Sequence, residues 1–222
     1  MLQDAHFHTK IRLQKHQKMA DEIAKICKIS AEVHQAFCQS ERELFVPQGM
    51  SSHAYKLDAL PLAGNQWISS PLTVAKMTEA LTCKGADSVL EIGCGSGYQA
   101  LILSKLIRRV FTIERIEGLL NDARQTFRSL GLVNINTKLD DGMHGWLEFA
   151  KFDRILFSAS PDEIPQALFD QLSENDGILV APVASKNKQI ITRYRKNRYV
   201  IVKEEVEECL FVSVQRGISK LS

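Results

Sequence analysis

The sequence predicts an α/β fold built on a doubly wound, mostly parallel sheet, with a helical extension in front and antiparallel strands behind. Three observations carry this. Residues 88–99 read Ser-Val-Leu-Glu-Ile-Gly-Cys-Gly-Ser-Gly-Tyr-Gln: a strand run (Val89, Leu90, Ile92) collapses into Gly93, Gly95 and Gly97, and an apolar helical pattern (Ala100, Leu101, Leu103, Leu106) comes at once after it. Strand and helix patterns then alternate, as helices covering both faces of a parallel sheet require. Beyond residue 186 the alternation stops and strands succeed one another without helices.

At 222 residues the chain reads as one domain, 1–222, with a helical and substrate-side segment over 1–70, a ligand-binding core over 71–185 and C-terminal strands over 186–222. The 28 basic and 26 acidic residues leave a formal charge of +2, so neither nucleic acid nor an anionic membrane is expected as a partner. Cys27, Cys38, Cys83, Cys94 and Cys209 form no Cys-x-x-Cys pair and no His/Cys ligand spacing, so they read as reduced structural thiols and no metal site is expected. The first residues, with His6, His8, Lys10, Arg12 and Lys15, lack the apolar stretch of a leader, and no apolar run approaches the roughly 20 residues that span a bilayer. A cytoplasmic protein is the expectation. Nothing in the sequence signals an oligomeric state.

Taken in order, a helical pattern covers residues 10–38: Met19, Ile23 and Ile26 recur at helical spacing, and Val33 with Phe37 repeats it after a Ser30 cap. Its basic residues Arg12, Lys15, Lys18 and Lys25 read as a solvated face. Residues 41–71 show little periodicity but hold Phe45, Tyr55, Leu60, Leu62 and Ile68, too apolar for a disordered linker. A loop that long is expected to pack across the mouth of a site. Ser70 before Pro71 signals a helix start, because Ser caps free amides and Pro fits the first helical position. Ser69 then sits just ahead of that helix. Downstream the pattern predicts strands 110–114, 135–139, 154–158 and 177–183, with helices 118–130 and 163–172. The tail reads as strand 189–195, a turn at 196–198, strand 199–205 and strand 209–215.

In an open parallel sheet the ligand lies beyond the carboxyl ends of the strands, at the switch point. The ends here are the glycine loop, Glu114, Asp140-Asp141-Gly142 and Ser158-Ala159-Ser160-Pro161. Glu114 suits the two hydroxyls of a ribose, since a carboxylate presents two coplanar oxygens. Asp141, beside a glycine, suits the exocyclic amine of adenine; a loop aspartate capping a turn is the plainer alternative. The loop spacing is Glu-x-Gly-x-Gly-x-Gly, and the Glu91 carboxylate would repel a pyrophosphate while tolerating a cationic methionine moiety. That favours S-adenosyl-L-methionine over a dinucleotide. The candidate cofactor residues are therefore Glu91, Gly93, Cys94, Gly95, Ser96, Gly97, Glu114, Asp141 and Gly142. None of the six histidines falls in a motif with a carboxylate partner, and His144 reads as a surface-loop residue near the cofactor strand ends.

With these residues the chain resembles class I S-adenosyl-L-methionine-dependent methyltransferases, and more narrowly the protein-L-isoaspartate O-methyltransferase family. Ahead of the glycine loop the resemblance lies in Glu43-Leu44-Phe45-Val46-Pro47, Ala54-Tyr55, Leu60-Pro61 and the specific Gln66-x-Ile68-Ser69-x-Pro71. After it come Glu114-Arg115, Asp141-Gly142, Phe152-Asp153, Glu163-Ile164-Pro165, Gly177-Ile178-Leu179-Val180-x-Pro182 and Phe211-Val212. The resemblance covers nearly the whole chain from Ile11. It implies a Rossmann-like fold and methylation of the free α-carboxylate of isoaspartyl residues in damaged peptides or proteins, whose ester closes to a succinimide and on hydrolysis restores some normal linkage. It places Ser69 where the family has its active-site serine, and Gln66, Trp67, Ile68 and Ser213 on the substrate side. A carboxylate is already ionised at neutral pH, so the transfer needs in-line positioning and no strong base. Two departures fall on the substrate side. The family's Gly-x-Gly-Gln-Thr-Ile-Ser is here Ala63-Gly64-Asn65-Gln66-Trp67-Ile68-Ser69, and Ser213 stands where the family usually has Pro. They keep open a same-fold methyltransferase for another carboxylate or small molecule, and a non-catalytic cofactor-binding module. Base methylation is disfavoured, because Ser158-Ala159-Ser160-Pro161 replaces the Asn/Asp-Pro-Pro-aromatic run that chemistry commonly uses.

Overall fold

The computed structural model describes residues 2–185 and 187–220, with side chains from Leu13 onward. Those of His6, His8, Lys10 and Arg12 lie outside the described set. The expected N-terminal helical stretch is two helices, α1 (Leu2–Ile26) and α2 (Ala31–Cys38). The break falls where Ser30 caps α2 by accepting the Val33 amide at 3.3 Å. Residues 41–70 are a chain of tight turns plus a small antiparallel hairpin, β1 (Leu60–Leu62) and β2 (Gln66–Ile68). Three-residue strands are too short to show alternation, so the periodicity could not reveal them. α3 (Pro71–Leu81) starts as predicted, with Ser70 Oγ accepting the Thr73 amide at 3.0 Å.

The main sheet and its helices come next: β3 (Ser88–Ile92), α4 (Tyr98–Ser104), β4 (Arg109–Glu114), α5 (Glu117–Ser129), β5 (Ile135–Leu139), β6 (Arg154–Phe157), α6 (Gln166–Gln171), β7 (Gly177–Ser185), β8 (Lys188–Asn197) and β9 (Val200–Cys209). The strand order is β5-β4-β3-β6-β7-β8-β9, parallel from β5 to β7 and antiparallel from β7 to β9. All five residues of β3 are buried, because the strand is central and covered on both faces. Alternate residues feed two cores. Val89, Val110, Leu156 and Val180 pack towards α1–α5, while Leu90, Phe111, Phe157 and Leu179 pack towards α6 and the aromatic group of Trp146 and Phe152. Each such apolar side chain taken wholly from water contributes about 1.5–3 kcal/mol before entropy is subtracted. No helix among the described residues is long and apolar enough to cross a membrane.

Several boundaries differ from expectation, among them the end of β9, which runs to Cys209 where the pattern predicts 205. α6 begins at Gln166 instead of 163, since Pro165 keeps the residue before it out of the helical region. The β8–β9 turn is Arg198-Tyr199, not 196–198: Asn197 pairs with Val200, and Arg198 takes the positive φ of 54° that so tight a turn requires. Residues 210–215 form no ladder strand. They leave the ladder after β9: Phe211 N donates to Gln189 Oε1 of β8 at 2.6 Å and Gln189 Nε2 to Phe211 O at 3.1 Å, and beyond it Ser160 N donates to Val212 O at 2.8 Å and Val214 N to Ser160 O at 2.7 Å.

Candidate active site

The carboxyl ends of β3, β4 and β6 flank the point where the sheet order reverses, as the topology demands. Beyond them lies a cleft of about 990 Å³, counted out to the solvent at its mouth. Its floor is the glycine loop. A Cβ on Gly95 would meet nothing within 4 Å, so the backbone there is open to the cleft. Gly97 answers a different need: at φ +91° it starts α4, and a Cβ on it would lie 2.6 Å from the Phe127 ring of α5. Gly93, Cys94, Gly95 and Ser96 line the cleft, whereas Gly97 lies behind it. Burial pushes the Cys94 thiol well above its ordinary pKa, so it is a neutral lining atom.

Glu114 ends β4 at the cleft. Its Oε1 accepts the amides of Arg115 and Ile116, both at 2.9 Å, and its Oε2 accepts the Gly95 amide at 2.8 Å. The carboxylate thus ties β4 to the glycine loop and keeps its spare acceptor capacity on Oε2. Gly142 lines the cleft and Asp141 does not. The Asp141 carboxylate accepts the Met143 amide at 3.0 Å and the Gly217 amide at 2.9 Å, which holds the C-terminal tail against the end of β5. His144 is exposed on this loop and does not reach the cleft.

Glu91 does not reach the cleft either. It shares one face of the sheet with Thr112 and is wholly buried, taking the Thr112 hydroxyl at 2.5 Å and the Ser158 hydroxyl at 3.0 Å. Burial pushes its carboxyl up to about 8, against hydroxyl bonds that pull the other way. Burial thus favours its protonated form, set beneath the loop.

The opposite wall comes from β2 and the α3 start: Gln66, Trp67, Ile68 and Ser69. Trp67 is 54% exposed at the mouth. Ser69 is half-buried, and its neighbour Ser70 does the capping, so the Ser69 hydroxyl has no partner among the described residues. The third wall is the tail. Phe211, Val212 and Ser213 face the cleft, and Arg115 anchors the chain beyond them by donating to Gly217 O at 2.8 Å and Gln215 Oε1 at 3.3 Å.

Sequence reasoning missed Arg115 and Gln215 as wall residues, Thr112 as the partner of Glu91, and Arg42, which donates to Ser69 O at 3.1 Å. The first three were findable only by knowing the tail's path and the strand register. Among the described residues, His34 does meet a carboxylate: its Nε2 lies 2.9 Å from Asp21 Oδ1, between α2 and α1 and outside the cleft lining. No group of three or more His, Cys, Asp or Glu able to hold a metal exists among the described residues.

A family model described as Protein-L-isoaspartate(D-aspartate) O-methyltransferase (PCMT) matches residues 14–219. The protein-L-isoaspartate O-methyltransferase of Helicobacter pylori (strain J99 / ATCC 700824) is 51% identical over 205 residues, 92% of this chain and 98% of that protein. The protein of the same name from Maricaulis maris (strain MCS10) is 42% identical over 187 residues, 84% of this chain and 87% of the other. Among solved structures, a protein-L-isoaspartate O-methyltransferase superposes with a TM-score of 0.81 at 26% identity, covering 90% of this chain and 66% of that one. A Plasmodium falciparum chain solved with S-adenosyl-L-homocysteine shares the fold, with a TM-score of 0.79 at 20% identity over 90% of this chain and 98% of that one.

Proposed function

We infer that this chain, which belongs to the protein-L-isoaspartate O-methyltransferase family, methylates the free α-carboxylate of L-isoaspartyl residues in damaged peptides and proteins, with S-adenosyl-L-methionine as methyl donor. The observation that carries the reading is that Ser69, whose hydroxyl has no partner among the described residues, lines the same cleft as the glycine loop. The residues present fit the cofactor. The space over Gly95 is open, Glu114 Oε2 keeps a lone pair for a ribose hydroxyl, and Ile113 and Ile116 offer apolar walls for a planar base. Bound S-adenosyl-L-methionine supplies an electrophilic methyl group on a cationic sulfur.

The chain's own residues have few tasks, because the acceptor carboxylate is already ionised. Ser69 donates a hydrogen bond to that carboxylate and turns one of its oxygens towards the methyl group, which is catalysis by orientation. Gly93, Cys94, Gly95, Ser96, Glu114 and Gly142 form the cofactor side. Asp141, expected on the adenine, lies outside the cleft lining with its carboxylate held by the Met143 and Gly217 amides, and with Glu91 and Gly97 it supports the loops from behind. Gln66, Trp67, Ile68 and Ser213 border the peptide. A cytoplasmic site of action agrees with five free cysteines.

The test is transfer of labelled methyl from S-adenosyl-L-methionine to a matched pair of peptides, one isoaspartyl and one aspartyl. Base-labile label on the isoaspartyl peptide alone is the expected result. Equal labelling of both, or none, would overturn the reading.

A further inference from the structure

Arg42 comes after Glu41 in the turns that precede the β1–β2 hairpin, and its side chain is 0% exposed. Burying a guanidinium is costly unless its donors are met. Here they meet carbonyl oxygens instead of carboxylates. Nη1 donates to Ala54 O at 2.7 Å and, at a long 3.5 Å, to Lys56 O; Nη2 donates to Asp58 O at 3.2 Å and to Ser69 O at 3.1 Å. The guanidinium also lies 5.5 Å from the centroid of the Tyr98 ring, and Tyr98 lines the cleft. Nε of Arg42 and the phenol oxygen of Tyr98 are both buried without a protein partner.

That geometry has two effects. One planar fork binds the 54–58 turn and the Ser69 carbonyl together, so it fixes the backbone that carries the Ser69 hydroxyl. Carbonyls solvate the cation without pairing its charge, and the Asp58 carboxylate, which acts on it from an exposed position, forms no ion pair with it, so its field persists, partly offset, in a water-poor wall one residue from where an anion would bind. Had a carboxylate paired with Arg42, the net charge behind Ser69 would be zero.

We propose that Arg42 is a positioning residue for the methyl acceptor: its fork sets Ser69, and its charge, bonded to carbonyls and to no carboxylate, biases the acceptor pocket towards a carboxylate. The proposal rests on the isoaspartyl reading. It separates fork from charge, because Arg42→Lys keeps the charge and loses the fork, while Arg42→Met loses both.

The experiment measures three quantities on wild type and both variants: affinity for S-adenosyl-L-homocysteine, kcat and KM for an isoaspartyl peptide, and the ratio of affinities for that peptide over its α-carboxamide analogue in the S-adenosyl-L-homocysteine-loaded enzyme. Losing a hydrogen bond from a charged group is worth about ten- to a hundredfold, so kcat is expected to fall by that much in both variants. S-adenosyl-L-homocysteine affinity should stay within about twofold, a change below the size of one hydrogen bond. The carboxylate preference should survive in Arg42→Lys and collapse in Arg42→Met. An unchanged kcat, a preference retained in Arg42→Met, or loss of cofactor-product affinity alongside activity would overturn the proposal, the last by showing a merely structural role. If Arg42→Met does not fold, Arg42→Lys with reduced kcat, intact preference and intact product affinity still supports it, and Arg42→Lys with wild-type kcat overturns it. An inactive wild type would instead defeat the isoaspartyl reading and leave the product-affinity and preference measurements standing.

Discussion

Two adjacent serines at the start of α3 divide their labour. Ser70 Oγ takes the Thr73 amide and pairs with the Thr73 hydroxyl at 2.9 Å, which accounts for the helix cap. The Ser69 hydroxyl makes no hydrogen bond among the described residues, its backbone carbonyl alone being held by Arg42, so Ser69→Ala removes a donor that the fold does not use. Turnover on an isoaspartyl peptide is expected to fall about ten- to a hundredfold, the value of a hydrogen bond to a charged acceptor, with S-adenosyl-L-homocysteine affinity unchanged. Steady-state kinetics beside calorimetric titration checks this, and an unaltered kcat would remove Ser69 from the mechanism. At this scale the Gln-x-Ile-Ser-x-Pro setting pointed to Ser69, which the structure places in the cleft lining. It concealed Arg42, because that residue's partners are backbone carbonyls, which leave no side-chain pattern to read. Ser213 offers a further contrast. The bridge at Ser160 uses Val212 O and Val214 N, so the Ser213 amide is not needed there, and the family's usual Pro would cost no hydrogen bond of that bridge.

Among elements, the strand–loop–helix unit of β3 and α4 was legible because a central strand must be apolar throughout and its turn must be glycine-rich. The hairpin of β1 and β2 and the tail after β9 were not. The tail's order comes from distant contacts: Asp141 Oδ2 with the Gly217 amide, and Arg115 O with the Ser219 amide at 2.8 Å. Within the legible unit, the glycines serve separate ends. Gly97→Ala combines left-handed backbone with a Cβ 2.6 Å from the Phe127 ring, and the ring is held by the α5 packing. The substitution is expected to destabilise the protein by about 1–3 kcal/mol, the usual cost of overpacking a core. Urea unfolding monitored by circular dichroism measures it, and a loss below a few tenths would show that Phe127 simply moves aside.

For the whole molecule, the near-balance of 28 basic and 26 acidic residues hides a buried acid whose effect on stability is opposite to that of the surface carboxylates. Arg108 and Arg109 hold Asp87 below its ordinary pKa, and Lys138 does the same for Asp140, so these groups lose their contribution only as pH falls through the low carboxylate range. Glu91 runs the other way. Burial raises it from 4.5 to about 8, so between those values the folded chain holds a proton that the unfolded chain has released. The unfolded state then binds fewer protons, and folding stability must fall as pH rises through that window. Its contribution is complete below about 4.5 and lost once pH passes about 8. Glu91→Gln keeps the size of the side chain and can still pair with the Thr112 and Ser158 hydroxyls, but it has no proton to lose. The unfolding free energy of the wild type, measured in urea at a series of pH values from 4.5 to 8, should therefore decline relative to that of the variant, with the two curves diverging most at the alkaline end. Parallel curves would mean that Glu91 ionises in the folded protein much as it does in the unfolded chain, and that water or a cation reaches it beneath the glycine loop.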